Sequence, residues 1–234
     1  MLTAQFSIAV LNEWADRFAD ARAGRPRPVA TGRIAPTIAL GAAIVFAVLA
    51  LGGAALFGLL SLLLVGIGLA AGWSYDLFFK PTVFSFLPIA IAFPLLVVWV
   101  AVASGHALPS AWLVFLGGAP LAVAVHLADA IPDRAYDRDA GLRTIPVVLG
   151  YPRTELLAGC LLIAGLAISD WQLWLHGLWR WPLLSPVVLV GLYFVTALAQ
   201  PSRNIVLTRQ VAKFCLIIDA AACGLLLSIV ASRA

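Results

Sequence analysis

Along the chain, apolar runs near the ~20 residues a helix needs to cross a bilayer alternate with short segments that hold nearly all the charge. The runs cover 35–52, 54–74, 83–103, 109–130, 154–170, 182–200 and 210–231, and a shorter stretch over 1–14 is long enough for part of a span. They are too long for barrel strands and show no strict apolar–polar alternation. In lipid only helices or closed barrels satisfy the backbone, so helices are expected. The pattern predicts an all-α, polytopic transmembrane helical bundle with seven full spans and a partial N-terminal one, in a single domain over 1–234. Gly52-Gly53, Lys80-Pro81, Ser104-Gly105, Pro182 and Gln200-Pro201-Ser202 mark the expected connections.

Composition agrees with this reading. The chain is 63% hydrophobic and 11% charged, with a mean hydropathy of +1.03. A soluble domain is roughly half apolar and about a quarter charged. The lipid bilayer is therefore the expected surroundings. The pI near 9.3 is read as a topology signal, and no nucleic-acid partner is expected. Alternating the spans puts 15–34, 75–82, 131–153 and 201–209 on one face. That face gathers all of the 15 lysines and arginines except Arg180 and Arg233, counting Lys213 just inside the last span. The positive-inside rule makes it cytoplasmic, as in a bacterial or archaeal-type plasma membrane. The N-terminus has no basic n-region, so no signal peptide is expected. Cys160, Cys215 and Cys223 lie in apolar runs and are read as packing residues.

Two segments on the cytoplasmic face break the apolar pattern in the same way. One carries Asn12, Asp16 and Asp20, the other Asp129, Asp133 and Asp137. In each, an oxygen-bearing side chain recurs every four residues, which on a helix stacks the three along one face. Aligned carboxylates repel, and a bound cation relieves the repulsion. Oxygen ligands favour Mg²⁺, which is typically held by a few carboxylates together with substrate phosphates. Nearby arginines and a lysine suit a diphosphate. Pro132 is expected to kink or end the helix within the second segment.

The same residues carry a family resemblance. Asn12, Asp16 and Asp20 resemble an N-x-x-x-D-x-x-x-D signature, and residues 27–34 resemble its R-P-x-x-x-G-R-I continuation. Residues 133–150 resemble D-x-x-x-D-x-x-x-G-x-x-T-L-P-x-x-L-G. Together these resemble the UbiA superfamily of intramembrane prenyltransferases. The resemblance implies a nine-helix bundle whose central cavity is roofed by the two motif loops. It also implies Mg²⁺-dependent transfer of a prenyl group from a prenyl diphosphate to a lipophilic or aromatic acceptor that the sequence does not identify. Asn12, Asp16, Asp129 and Asp133 then become metal ligands, with Asp20 and Asp137 in support; Asp16 and Asp133 carry the catalytic role. Tyr75 and Lys80 resemble a Tyr-then-basic element. Lys80 would contact diphosphate, and the Tyr75 ring would stabilise a developing allylic cation. Arg22, Arg27 and Arg143 either bind phosphate or anchor their loops at the membrane surface. Where many members have Asn-Asp, this chain has Asn12-Glu13. It begins in what resembles the family's second helix, so a shortened member or a late start is expected.

Rival readings remain. A cyclase on the same scaffold would ionise the same diphosphate and let the chain attack itself. A transporter, or a non-catalytic membrane protein, would use the acids as ion sites or not at all; long basic motif loops argue against transport sites, which usually sit near the bilayer midplane. A CDP-alcohol phosphotransferase would need a D-G-x-x-A-R-type segment, which the sequence lacks. His126 is read as a core histidine or a site contact, and Asp219 as an intramembrane acid with no identified partner.

Overall fold

The computed structural model describes residues 1–105 and 111–175. The expected spans over 182–200 and 210–231, with Cys215, Asp219 and Cys223, lie outside the described residues. Among the described residues all regular structure is helical, in two compact units that divide after Lys80.

The first unit holds α1 (Leu2–Arg22), α2 (Pro36–Ala55) and α3 (Leu59–Ser74), which runs on into a π-helical turn over Tyr75–Phe79. The buried positions of α2 are all alanine, namely Ala39, Ala43, Ala50 and Ala54. Its large side chains, among them Ile38, Val45, Val48 and Leu49, are exposed. This inverts the water-soluble pattern and follows from a membrane. Lipid is as apolar as leucine, so helices associate through small residues that let backbones approach. Gly72 is the closest such point: a Cβ there would lie 2.4 Å from Ile8 Cδ1. One polar chain ties the three helices together. Trp73 Nε1–H donates to Ser7 Oγ at 3.1 Å, and the Ser7 hydroxyl donates to the Ala43 carbonyl at 2.8 Å. Each such bond contributes about 0.6–1.7 kcal/mol within a bilayer.

The second unit holds α4 (Phe86–Ala103), α5 (Ala111–Ala130), α6 (Arg134–Asp139), α7 (Ile145–Leu149) and α8 (Tyr151–Leu175). Here α5 and α8 pack at backbone distance. A Cβ on Gly165 would meet the Gly117 carbonyl at 2.9 Å, and one on Gly117 would meet Ser169 Oγ at 2.5 Å. Leu121, Ala124, Leu162 and Leu166 fill the adjoining core. The α6–α7 loop is held by its own polar groups. Thr144 Oγ1 donates to Asp137 Oδ2 at 3.0 Å, and Arg134 Nε donates to the Pro146 carbonyl at 2.9 Å.

Among the described residues, four helical stretches are long and apolar enough to cross a membrane: Pro36–Ala55, Leu59–Phe79, Val83–Ala103 and Tyr151–Ser169. Several sequence expectations shift. Gly52-Gly53 lies inside α2 and does not end it; the turn is made at Gly58, whose φ of 96° favours glycine. The partial span over 1–14 is the first part of a continuous helix that reaches Arg22. Residues 75–79, expected to lie between spans, extend the third helix. Cys160 is exposed, not packed in the core.

Candidate functional site

The first acidic segment lies on α1, facing the π-helical end of the third helix. Asn12 Nδ2 donates to Asp76 Oδ1 at 2.8 Å, and Lys80 Nζ forms a short ion pair with Asp16 Oδ2. Both contacts join residues 64 positions apart, so the two segments run parallel and the four-residue step on α1 meets a four-residue step from Asp76 to Lys80. Between them the Lys80 N–H reaches the Tyr75 carbonyl at 2.9 Å, an i→i+5 bond. Such π-turns are frequent at functional sites. Here Asp76 and Lys80 both reach α1 across this turn.

Asp76 is the residue the sequence reading missed. Its side chain is buried, at 8% exposure, and its Oδ2 has no hydrogen-bond partner. It also lies within electrostatic range of Lys80 and Asp16. A lone acid at the end of an apolar run was the available signal, since intramembrane acids default to function. Its partner, 64 positions away, is invisible to any local pattern.

The other expected residues of this unit have different surroundings. Each four-residue step turns an α-helix by about 40°, so Asp20 has drifted by about 80° from Asn12. Asp20 is buried and pairs with Arg25 at 3.5 Å, tying down the chain just after α1. Arg27 pairs with Glu13 at 2.8 Å, across the same loop. Arg22 is exposed, and its Nε donates to the Phe18 carbonyl at 3.2 Å.

In the second unit, the second acidic segment does not form one helical face. Pro132 has no N–H and excludes the preceding residue from a continuing helix, so α5 ends at Ala130 and the chain restarts in α6. Asp129 is therefore on α5, half-buried, while Asp133 is exposed at the start of α6 without capping it. Asp137 accepts from Thr144 within the loop. His126, one turn before Asp129, is within 2.9 Å of Ser85 Oγ. The Arg143 side chain is exposed, and its backbone N–H donates to the Pro81 carbonyl at 3.0 Å.

The donors fit a hard divalent cation. Asn12 and Asp16 offer oxygens, and behind Asn12 lies a buried carboxylate oxygen with no hydrogen-bond partner. Among the described residues, no three His, Cys, Asp or Glu side chains form a ready-made metal cage. Mg²⁺ suits that arrangement, because it keeps waters and shares its ligands with substrate phosphates.

Residues 1–218 match the UbiA prenyltransferase family. The chain belongs to that family. It is 29% identical over 189 residues to a 4-hydroxybenzoate octaprenyltransferase from Citrobacter koseri, a match covering 80% of this chain. The chain spans 65% of the length of that relative. Among solved structures, it resembles the apo form of a UbiA homologue from Aeropyrum pernix K1, with a TM-score of 0.76 at 20% identity, covering 94% of this chain and 84% of that one. It also resembles a UbiA homologue from Archaeoglobus fulgidus bound to GPP and Mg²⁺, with a TM-score of 0.61 at 17% identity and coverage of 95% and 87%. These likenesses establish a UbiA-type helical fold. With the apolar helices, family membership makes the chain an integral membrane protein.

Proposed function

We propose that the chain catalyses Mg²⁺-dependent transfer of a prenyl group from a prenyl diphosphate to a lipophilic or aromatic acceptor within the membrane. The observation that carries this reading is the paired set Asn12–Asp76 and Asp16–Lys80 at the end of an apolar helical unit. Side-chain oxygens of Asn12 and Asp16 beside the Lys80 ammonium support a cation held next to phosphate. The family match, the GPP- and Mg²⁺-bound homologue and the octaprenyltransferase relatives support it.

In this reading the bond between prenyl C1 and the diphosphate oxygen breaks, and its electron pair leaves with diphosphate. A nucleophilic atom of the acceptor then bonds to C1 and loses a proton. Asn12 and Asp16 from the first segment, and Asp129 and Asp133 from the second, would hold magnesium, which when bound would supply neutralisation of the charge growing on the leaving oxygen. Asp20 and Asp137 support their own loops through Arg25 and Thr144. Lys80 donates to phosphate oxygens and remains balanced by Asp16. The Tyr75 ring would stabilise the allylic cation as an aromatic face stabilises other cations. Arg22, Arg27 and Arg143 contact the outer phosphate or fix the loops that cover it. The apolar surroundings exclude water and so favour the acceptor. Charge asymmetry in the sequence supports a cytoplasmic side for both acidic segments.

The test is turnover by the full chain in lipid nanodiscs with geranyl diphosphate, Mg²⁺ and 4-hydroxybenzoate, the acceptor suggested by the relatives. The expected result is prenylated acceptor and inorganic diphosphate in equal amounts, dependent on Mg²⁺. Cyclised hydrocarbon formed without acceptor would replace transfer with cyclisation. Persistence of geranyl diphosphate across a panel of aromatic and lipid acceptors would reject the proposal.

A further inference from the structure

A side-chain amide has a donor end and an acceptor end, and a cation needs the acceptor end. Asn12 can serve magnesium only if its Oδ1 is turned toward the metal and its Nδ2 elsewhere. An ionised carboxylate accepts and cannot donate. Asp76 Oδ1 receives the Asn12 Nδ2–H at 2.8 Å, and this contact selects one of the two amide orientations. Asp76 is itself fixed, since it is buried and sits on the π-turn, whose i→i+5 bond sets its position against α1. No motif includes it.

We infer that Asp76 is a positioning residue: by accepting from Asn12 Nδ2, it holds the Asn12 amide oxygen toward the cation site. The inference rests on the proposed Mg²⁺ role of Asn12. Asp76 acts through Asn12, as an outer carboxylate orients a metal-bound histidine. Its Oδ2 has no hydrogen-bond partner, and the charge of the ionised carboxylate adds attraction for a cation beyond the hydrogen bond. Lys80, one rung along, is paired with Asp16 and offsets that charge only in part.

The arrangement predicts a specific rescue. Asp76→Asn places an amide opposite an amide. Either one can then donate, and the orientation of Asn12 is no longer selected. Adding Asn12→Asp reverses the pair: the new amide at 76 donates to one oxygen of the new carboxylate at 12, and the other oxygen is free for the metal. A residue that matters only for packing would gain nothing from this exchange.

The experiment is Mn²⁺ binding to the full chain in nanodiscs, followed by the EPR signal of free Mn²⁺, with geranyl thiodiphosphate present. Wild type is expected to bind Mn²⁺, and Asp16→Ala to weaken that binding. Asp76→Asn and Asp76→Ala are expected to weaken it about tenfold or more, the usual range for losing such a partner. The double exchange is expected to return affinity to within about threefold of wild type. Failure of wild type to bind Mn²⁺ would overturn the magnesium reading, and this inference with it. Wild-type binding with unchanged affinity in Asp76→Asn and Asp76→Ala would overturn the inference alone. So would weakened binding in Asp76→Asn that the exchange leaves unrepaired.

Discussion

The contact between Gly72 and Ile8 sets how closely the third helix approaches α1, one turn before Asn12. A Cβ at Gly72 would lie 2.4 Å from Ile8 Cδ1, 2.7 Å from Cγ1 and 3.3 Å from Cγ2. Carbon atoms rest at about 3.5–4.0 Å, so the nearest contact must open by more than an ångström. Either Ile8 leaves its rotamer or the helices separate. Separation by that amount would also break the 2.8 Å bond from Asn12 to Asp76. Two terms oppose each other in Gly72→Val. Removing a helical glycine gains a few tenths of a kcal/mol for valine. Overpacking costs about 1–3 kcal/mol, so destabilisation wins. In a chain of this size each kcal/mol lowers Tm by about 2–4 °C. Ile8→Ala removes all three clashing atoms and gives the new valine room. Thermal unfolding in detergent should show Gly72→Val with Tm lowered by several degrees. The double variant should be more stable than the two single losses predict, by about 1–3 kcal/mol. Additive losses, or an unchanged Tm in Gly72→Val, would refute the close approach.

Other outcomes follow from the site and its loops. Lys80→Met should raise the KM for geranyl diphosphate and lower kcat/KM by roughly tenfold or more, the cost of a lost charge-assisted hydrogen bond, with partial recovery in Lys80→Arg; steady-state kinetics reads both. Thr144→Val removes the bond to Asp137 Oδ2 and should weaken the α6–α7 loop by about 1 kcal/mol. Hydrogen exchange should then be several-fold faster at the Leu142 amide, which bonds to the Asp137 carbonyl.

The sequence made the helical class legible because a bilayer imposes a length and a polarity that no local propensity overrides. Asn12 and Asp16 were legible through spacing, and the structure carries them on one helix as that spacing requires. The same spacing rule failed at Asp129, Asp133 and Asp137, because it assumes an unbroken helix and Pro132 interrupts it. Gly52-Gly53 misled because glycine is tolerated inside membrane helices, and both lie within α2 with nothing packed against them; the turn went to Gly58, the glycine whose backbone needs a positive φ. Asp76 was out of reach for a different reason. Its meaning comes from Asn12, and that pairing exists only once α1 and the third helix lie side by side.

In the proposed reaction, both acidic segments hold the magnesium that carries the diphosphate. The most direct test is Mg²⁺-dependent release of inorganic diphosphate from geranyl diphosphate plus acceptor by purified wild type, Asp16→Ala and Asp133→Ala, each checked for an unchanged size-exclusion profile. Wild type should turn over, and each variant should lose at least about a hundredfold, as expected when a group stabilising transition-state charge is removed. Full Mg²⁺-dependent turnover in either folded variant would contradict it.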